Sequence, residues 1–143
     1  MPAPARNYLS REALWALLLT FAIFAASSRP RLAAPDLDFN LAVTPDKIAH
    51  FLVFGLLATS IARIPRLARA GFLGALLAAA LTSSYGVLDE LHQSTTPGRS
   101  VETADALADA TGAFLAAFLY AGWPRYRRFL EFPLRRSRIC KTL

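Results

Sequence analysis

The chain of 143 residues is 55 % hydrophobic and 18 % charged, with a mean hydropathy of +0.36 and a formal net charge of +6. Soluble domains carry about 25 % charged residues, so this composition is turned away from water, and it excludes a disordered chain. Cys140 is the single cysteine, which excludes a disulfide scaffold. Its place four residues from the end mimics a prenylation box, but Lys141 and Thr142 are not aliphatic. The positive charge does not describe a nucleic-acid face. Basic residues punctuate long apolar runs and the aromatics sit inside those runs, where no base can stack on them.

Four apolar runs lie between the charges, at 13–28, 48–62, 70–88 and 110–124. A spanning helix needs roughly 20 residues, and only 70–88 reaches that length unaided. The others reach it once flanking residues are included, with Lys47, Arg63 and Arg125 snorkelling to the interface. The predicted helices are therefore 8–28, 45–63, 69–92 and 102–123. The predicted fold class is all-α, a single-domain integral membrane four-helix bundle over 1–143 with a basic cytoplasmic tail at 124–143. A soluble bundle would show a polar face on each helix, and 73–81 has none.

Direction follows from Lys and Arg. With both termini inside, the cytoplasmic side holds twelve of them: Arg6 and Arg11, then Arg63, Arg66 and Arg69, then seven in the tail. The outer side holds four, Arg29, Arg31, Lys47 and Arg99. Both termini are thus predicted in the cytoplasm. Residues 6–28 also have the layout of a cleavable secretory signal; they are read here as a retained helix.

Along the chain, 29–45 is an irregular outer loop with Pro30, Pro35 and Pro45. Thr44 suits an N-cap, Pro45 a first helical turn and Asp46 the positive end of the dipole. The short basic loop at 63–69 makes the second and third helices antiparallel neighbours. Residues 94–98 read as a turn, with Ser100 as N-cap of the fourth helix. The aromatic, basic tail is predicted to lie along the inner leaflet. Small residues recur every four positions at Gly71, Ala75 and Ala79, and at Ala108, Gly112 and Ala116. Such faces allow close approach, and the third and fourth helices are predicted to pair through them. The same faces would also serve a homo-oligomer.

Eight of the ten acids fall on the outer side, although acids barely steer insertion. Three clusters account for the unusual polar residues there. Asp46, Lys47 and His50 open the second helix, with Asp46 and His50 one turn apart. Asp89, Glu90, His92 and Gln93 end the third. Arg99 follows Pro97-Gly98, and Asp105 and Asp109 lie one turn apart on the fourth. Ionisable groups at a membrane boundary face the bundle interior or a watered cavity, so convergence of the three would make an outward-opening polar pocket.

These residues also resemble the VanZ-like family of bacterial membrane proteins. The resemblance covers about 44–120 and is carried by Asp46, Lys47, His50, Phe51, Glu90, Gln93, Pro97, Gly98, Arg99, Asp105 and Gly112. The family pattern has Asn where this chain has Asp109, which adds a potential charge. The resemblance implies a small multi-helix protein of the bacterial cytoplasmic membrane, some of whose relatives are linked to glycopeptide (teicoplanin) resistance. It implies no established reaction.

The residues themselves leave two functional readings. One is a membrane enzyme acting at the outer leaflet on a lipid-linked or phosphorylated envelope precursor. In it Glu90 with His50, His92 or Asp105 would serve as acid and base. Arg99 would grip a phosphate, with Gln93, Lys47, Asp46 and Asp109 as further ligand-binding groups. The other is a non-enzymatic envelope assembly or binding protein holding a membrane lipid head group or a glycopeptide in the same pocket. Each residue also has a structural role to play: Glu90 as an ion pair or helix-end hydrogen bond, His50 in helix packing, Arg99 as partner of Glu90, Asp105 or Asp109. Metal ligation by His50 and His92 with Glu90, Asp89 or Asp105 is a further alternative, and no cofactor is specified. Ser94, Thr95 and Ser100 lack the strand-turn context of an activated nucleophile. An ion pathway is disfavoured, because 51–62 and 71–82 carry no ionisable group.

Overall fold

The computed structural model describes residues 10–30, 44–99 and 102–131. They form six helices: α1 (Arg11–Ser27), α2 (Pro45–Ala62), α3 (Pro65–Arg69), α4 (Phe72–Gln93), α5 (Thr103–Gly122) and α6 (Pro124–Leu130). No strand occurs among the described residues. The fold class is therefore all-α. The four long helices agree with the four predicted spans to within three residues at each described end. The start of the first helix before Ser10, the outer loop at 31–43, the Ser100 cap and the tail beyond Glu131 lie outside the described residues.

Local chemistry explains most boundaries. Ser10 caps α1 by accepting a hydrogen bond from the Ala13 N–H at 3.2 Å. Thr44 takes the N-cap position of α2 with extended backbone, but its side chain makes no cap bond, so Pro45 and Asp46 set that start. The 63–69 segment is not a plain loop. Pro65 begins the extra short helix α3, and Gly71, at φ +58°, turns the chain into α4.

Two helices, α4 and α5, are long and apolar enough to cross a membrane. The distribution of side chains is inverted relative to a soluble bundle. Trp15, Phe21, Leu52, Leu56, Leu73, Leu81, Leu107 and Leu115 are among the large apolar residues exposed on the outside. Inside, beside Ile23, Phe54, Leu57 and Tyr120, lie mostly small and polar ones, including Ala58, Ala79, Ala113, Ala117, Thr82, Asp89, Glu90, Asp105 and Asp109. In water such an exterior would be a single large sticky surface.

The small-residue faces pair differently from the sequence expectation. Ala75 and Ala79 do meet α5, but through Ala113 and Ala117, with Ala58 completing the cluster. Gly112 and Ala116 instead face α2. A Cβ on Gly112 would stand 2.1 Å from the Phe51 carbonyl oxygen, and one on Gly55 would stand 3.4 Å from Ala116 Cβ. The fourth apolar run thus shows one small stripe to α2 and a neighbouring one to α4. This makes α5 the central helix of the bundle.

Candidate functional site

The antiparallel arrangement brings the end of α1, the start of α2, the end of α4 and the start of α5 to one end of the bundle. Most of the polar residues singled out in the sequence meet there. Lys47 Nζ donates to Glu102 Oε2 at 3.1 Å and lies 3.6 Å from Asp105 Oδ1, tying the start of α2 to the start of α5. One turn on, His50 Nδ1 is 3.0 Å from Asp109 Oδ1. A carboxylate only accepts, so Nδ1 carries the proton in this contact. The one-turn spacings of Lys47/His50 and Asp105/Asp109 are what stack these two contacts along the α2–α5 seam.

Glu90 turns to the same seam from α4. Its Oε2 accepts the backbone N–H of Glu102 at 3.1 Å, at the N-cap position of α5, where the unsatisfied donors of a helix start gather. Glu90 is 3 % exposed and Asp109 is fully buried. Glu90 Oε1 and Asp109 Oδ2 find no hydrogen-bond partner among the described residues. Gly86 lies beside Asp109 and leaves the room its carboxylate occupies.

A second chain of contacts runs from α1 to Arg99. Ser27 Oγ donates to Asp89 Oδ2 at 2.8 Å, and Gln93 Nε2 donates to the same oxygen at 2.8 Å. Gln93 Oε1 in turn accepts from Arg99 Nη1 at 2.6 Å. Arg99 therefore pairs with an amide, not with Glu90, Asp105 or Asp109 as the internal salt-bridge alternative required. Its Nε has no partner among the described residues. A cavity of about 180 Å³ opens beside this chain, lined on its polar side by Ser27, Asp46, His50, Asp89, Gln93 and Arg99. Ile23, Ala26, Val53 and Phe54 supply its apolar wall.

The remaining predicted residues divide clearly. Glu90, Asp105, Asp109 and Lys47 stand behind the cavity and are not part of its lining. His92 is apart from both groups: its ring stacks on Phe24 at 4.6 Å between centroids, and its Nε2 is 3.0 Å from Ser28 Oγ. That placement gives His92 a role in docking α1 and removes it from any ligand set shared with His50. Asp89 and Ser27 carry more of the site than the sequence indicated. Asp89 sits one turn before Gln93, a signal that was present; nothing in the sequence marked Ser27, whose role comes from α1 packing on α4.

Helices without strands among the described residues, an apolar exterior, two helices fit to cross a bilayer, and Asp89, Glu90, Asp105 and Asp109 buried inside mark a helical membrane protein. The sequence profile of the VanZ/LLP1 family matches residues 10–124, and the chain belongs to that family. No significant match occurs among curated proteins or among solved structures.

Proposed function

We propose that this VanZ-like protein spans the bacterial cytoplasmic membrane four times, with both termini inside, and receives an anionic envelope-lipid head group in the cavity at its outer face. The observation that carries the reading is Arg99: a half-buried guanidinium beside a cavity of about 180 Å³ whose only described partner is neutral. A phosphate or carboxylate entering there meets the Arg99 guanidinium, whose buried Nε has no partner among the described residues, in a lining that also includes His50. The exposed apolar side chains of α1 and α2 are as large as those of α4 and α5, which supports four spans instead of two. The Lys and Arg distribution supports the direction.

Binding fits the geometry better than turnover. Glu90, the leading acid–base candidate in the sequence, faces the α5 start and not the cavity, so His50 and Asp89 are the titratable groups a ligand would meet together with Asp46. A lipid-linked or phosphorylated envelope precursor suits the cavity by charge and location. Holding it would connect the protein to glycopeptide susceptibility.

Native mass spectrometry of gently solubilised protein, wild type beside Arg99→Ala, tests this reading. A retained phospholipid or polyprenyl-phosphate mass that disappears in the variant is the expected result. A wild-type protein that carries no anionic lipid, or a variant that keeps it, refutes the head-group site.

A further inference from the structure

We infer that His50, Glu90 and Asp109 form a binding site for one divalent transition-metal cation, with zinc and manganese as the fitting ions. The three side chains come from α2, α4 and α5, and one ligating atom of each lies within 4.8 Å of the others. That spread is small enough for a single ion to reach all three with bonds of about 2.0–2.2 Å after modest closure.

Burial and charge point the same way. Glu90 Oε1 and Asp109 Oδ2 are buried and without hydrogen-bond partners among the described residues, an arrangement that folded proteins rarely tolerate. Among the described residues Lys47 is engaged by Glu102 and Asp105, and Arg99 by Gln93. Neither cation pairs with Glu90 or Asp109, so two buried carboxylates share one imidazole. A dication would neutralise both and coordinate oxygens that otherwise have no partner. One imidazole and two carboxylates are a nitrogen–oxygen donor set suited to zinc or manganese; calcium would want six or more oxygens. Three protein donors leave a further coordination position for water or a ligand.

The neighbouring group of Asp46, His50 and Asp105 also has its ligating atoms within 4.8 Å. It is the poorer cation site, because the Lys47 ammonium lies 3.6 Å from Asp105 Oδ1 and would repel the ion. The metal reading does not rest on the head-group reading. The two share only His50, which lines the cavity on one side and faces Asp109 on the other.

The test is metal content and melting temperature of the full chain in detergent, stripped with EDTA and then equilibrated with zinc or manganese. Glu90→Gln, Asp109→Asn, Asp46→Asn and Arg99→Ala are compared after each is shown to run as a single species. Wild type should hold about one ion per chain and melt higher with it than without. Glu90→Gln and Asp109→Asn should bind about ten-fold more weakly or worse, since even outer ligand partners carry that much. Asp46→Asn and Arg99→Ala should keep the ion, which separates this site from its neighbour and from the head-group site. Wild type that takes up neither ion, or Asp109→Asn with wild-type affinity, overturns the inference. Should the two ligand variants not fold, the wild-type melting curve with and without ion decides alone: no shift overturns it.

Discussion

Gly86 on α4 lies against Asp109 on α5: a Cβ at position 86 would stand 2.9 Å from Asp109 Oδ2, 3.1 Å from Asp109 Cβ and 3.3 Å from Phe54 Cε1. Asp109 cannot swing away, since it is fully buried and its other oxygen faces His50. Gly86→Ala should therefore destabilise the bundle by about 1–3 kcal/mol, the usual cost of overfilling a packed interior. Thermal unfolding in detergent followed by circular dichroism reads it. The cause is separable: in an Asp109→Ala background the added methyl has room, so the two changes together should cost less than their sum.

The His50–Asp109 contact invites the same treatment. Removing the imidazole leaves a carboxylate with no exposure and no described cation, so His50→Ala should cost about 3–5 kcal/mol. Asp109→Asn keeps shape and removes the charge, and it should cost less. The double variant should be milder than the two single losses added, by about 0.5–3 kcal/mol of coupling. Additive losses would mean that the contact contributes nothing to stability.

Three glycines predict a ranking at helix contacts. At Gly112 the obstacle is the Phe51 backbone carbonyl at 2.1 Å, and at Gly74 the Leu67 carbonyl at 1.9 Å; backbone cannot rotate aside. At Gly55 the nearest atom, Gly112 O, is 3.1 Å away, a gap that a few tenths of an ångström relieve. Alanine at 112 should part α2 from α5 and cost about 3 kcal/mol or more, whereas alanine at 55 should cost less than about 1 kcal/mol. Melting temperatures of the three single variants give the order directly.

The four long helices were legible because uninterrupted apolar stretches bounded by charges have few other solutions. The polar residues were legible as a group because carboxylates at the ends of such stretches need a reason to be there. Partner choice was not legible. Periodicity places Gly112 and Ala113 on adjoining faces of one helix, but which face meets α2 and which meets α4 depends on the rotation of three helices. The assignment of Arg99 to Gln93 instead of an acid is of the same kind: four acids lay within reach in sequence, and Lys47 and His50 took three of them. The helix α3 was missed because five residues are too few for periodicity to register.

At the opposite end of the bundle, Tyr120 donates to Glu131 Oε1 at 2.5 Å, and Arg127 Nε donates to the same oxygen at 3.1 Å while its guanidinium lies 5.3 Å from the centroid of the Tyr120 ring. These contacts hold α6 against α5. The Tyr120 hydrogen bond, then the Arg127 hydrogen bond and charge, hold the Glu131 carboxyl below its ordinary value of 4.5 against an opposing desolvation. A carboxyl whose native pKa is depressed stabilises the fold fully above its unfolded value, and that contribution fades as pH falls through the native one. Docking of α6 should thus be constant above about pH 5 and weaken below it, by less than about 1 kcal/mol because Glu131 is a surface group. Trp123, which stacks on Tyr126 at 6.3 Å, reports the event once Trp15 is replaced by Phe. Its emission should change below pH 5 in that background, and Glu131→Gln should show the low-pH signal at every pH, with no titration. An identical acid transition in the Glu131→Gln protein would assign the change to another group.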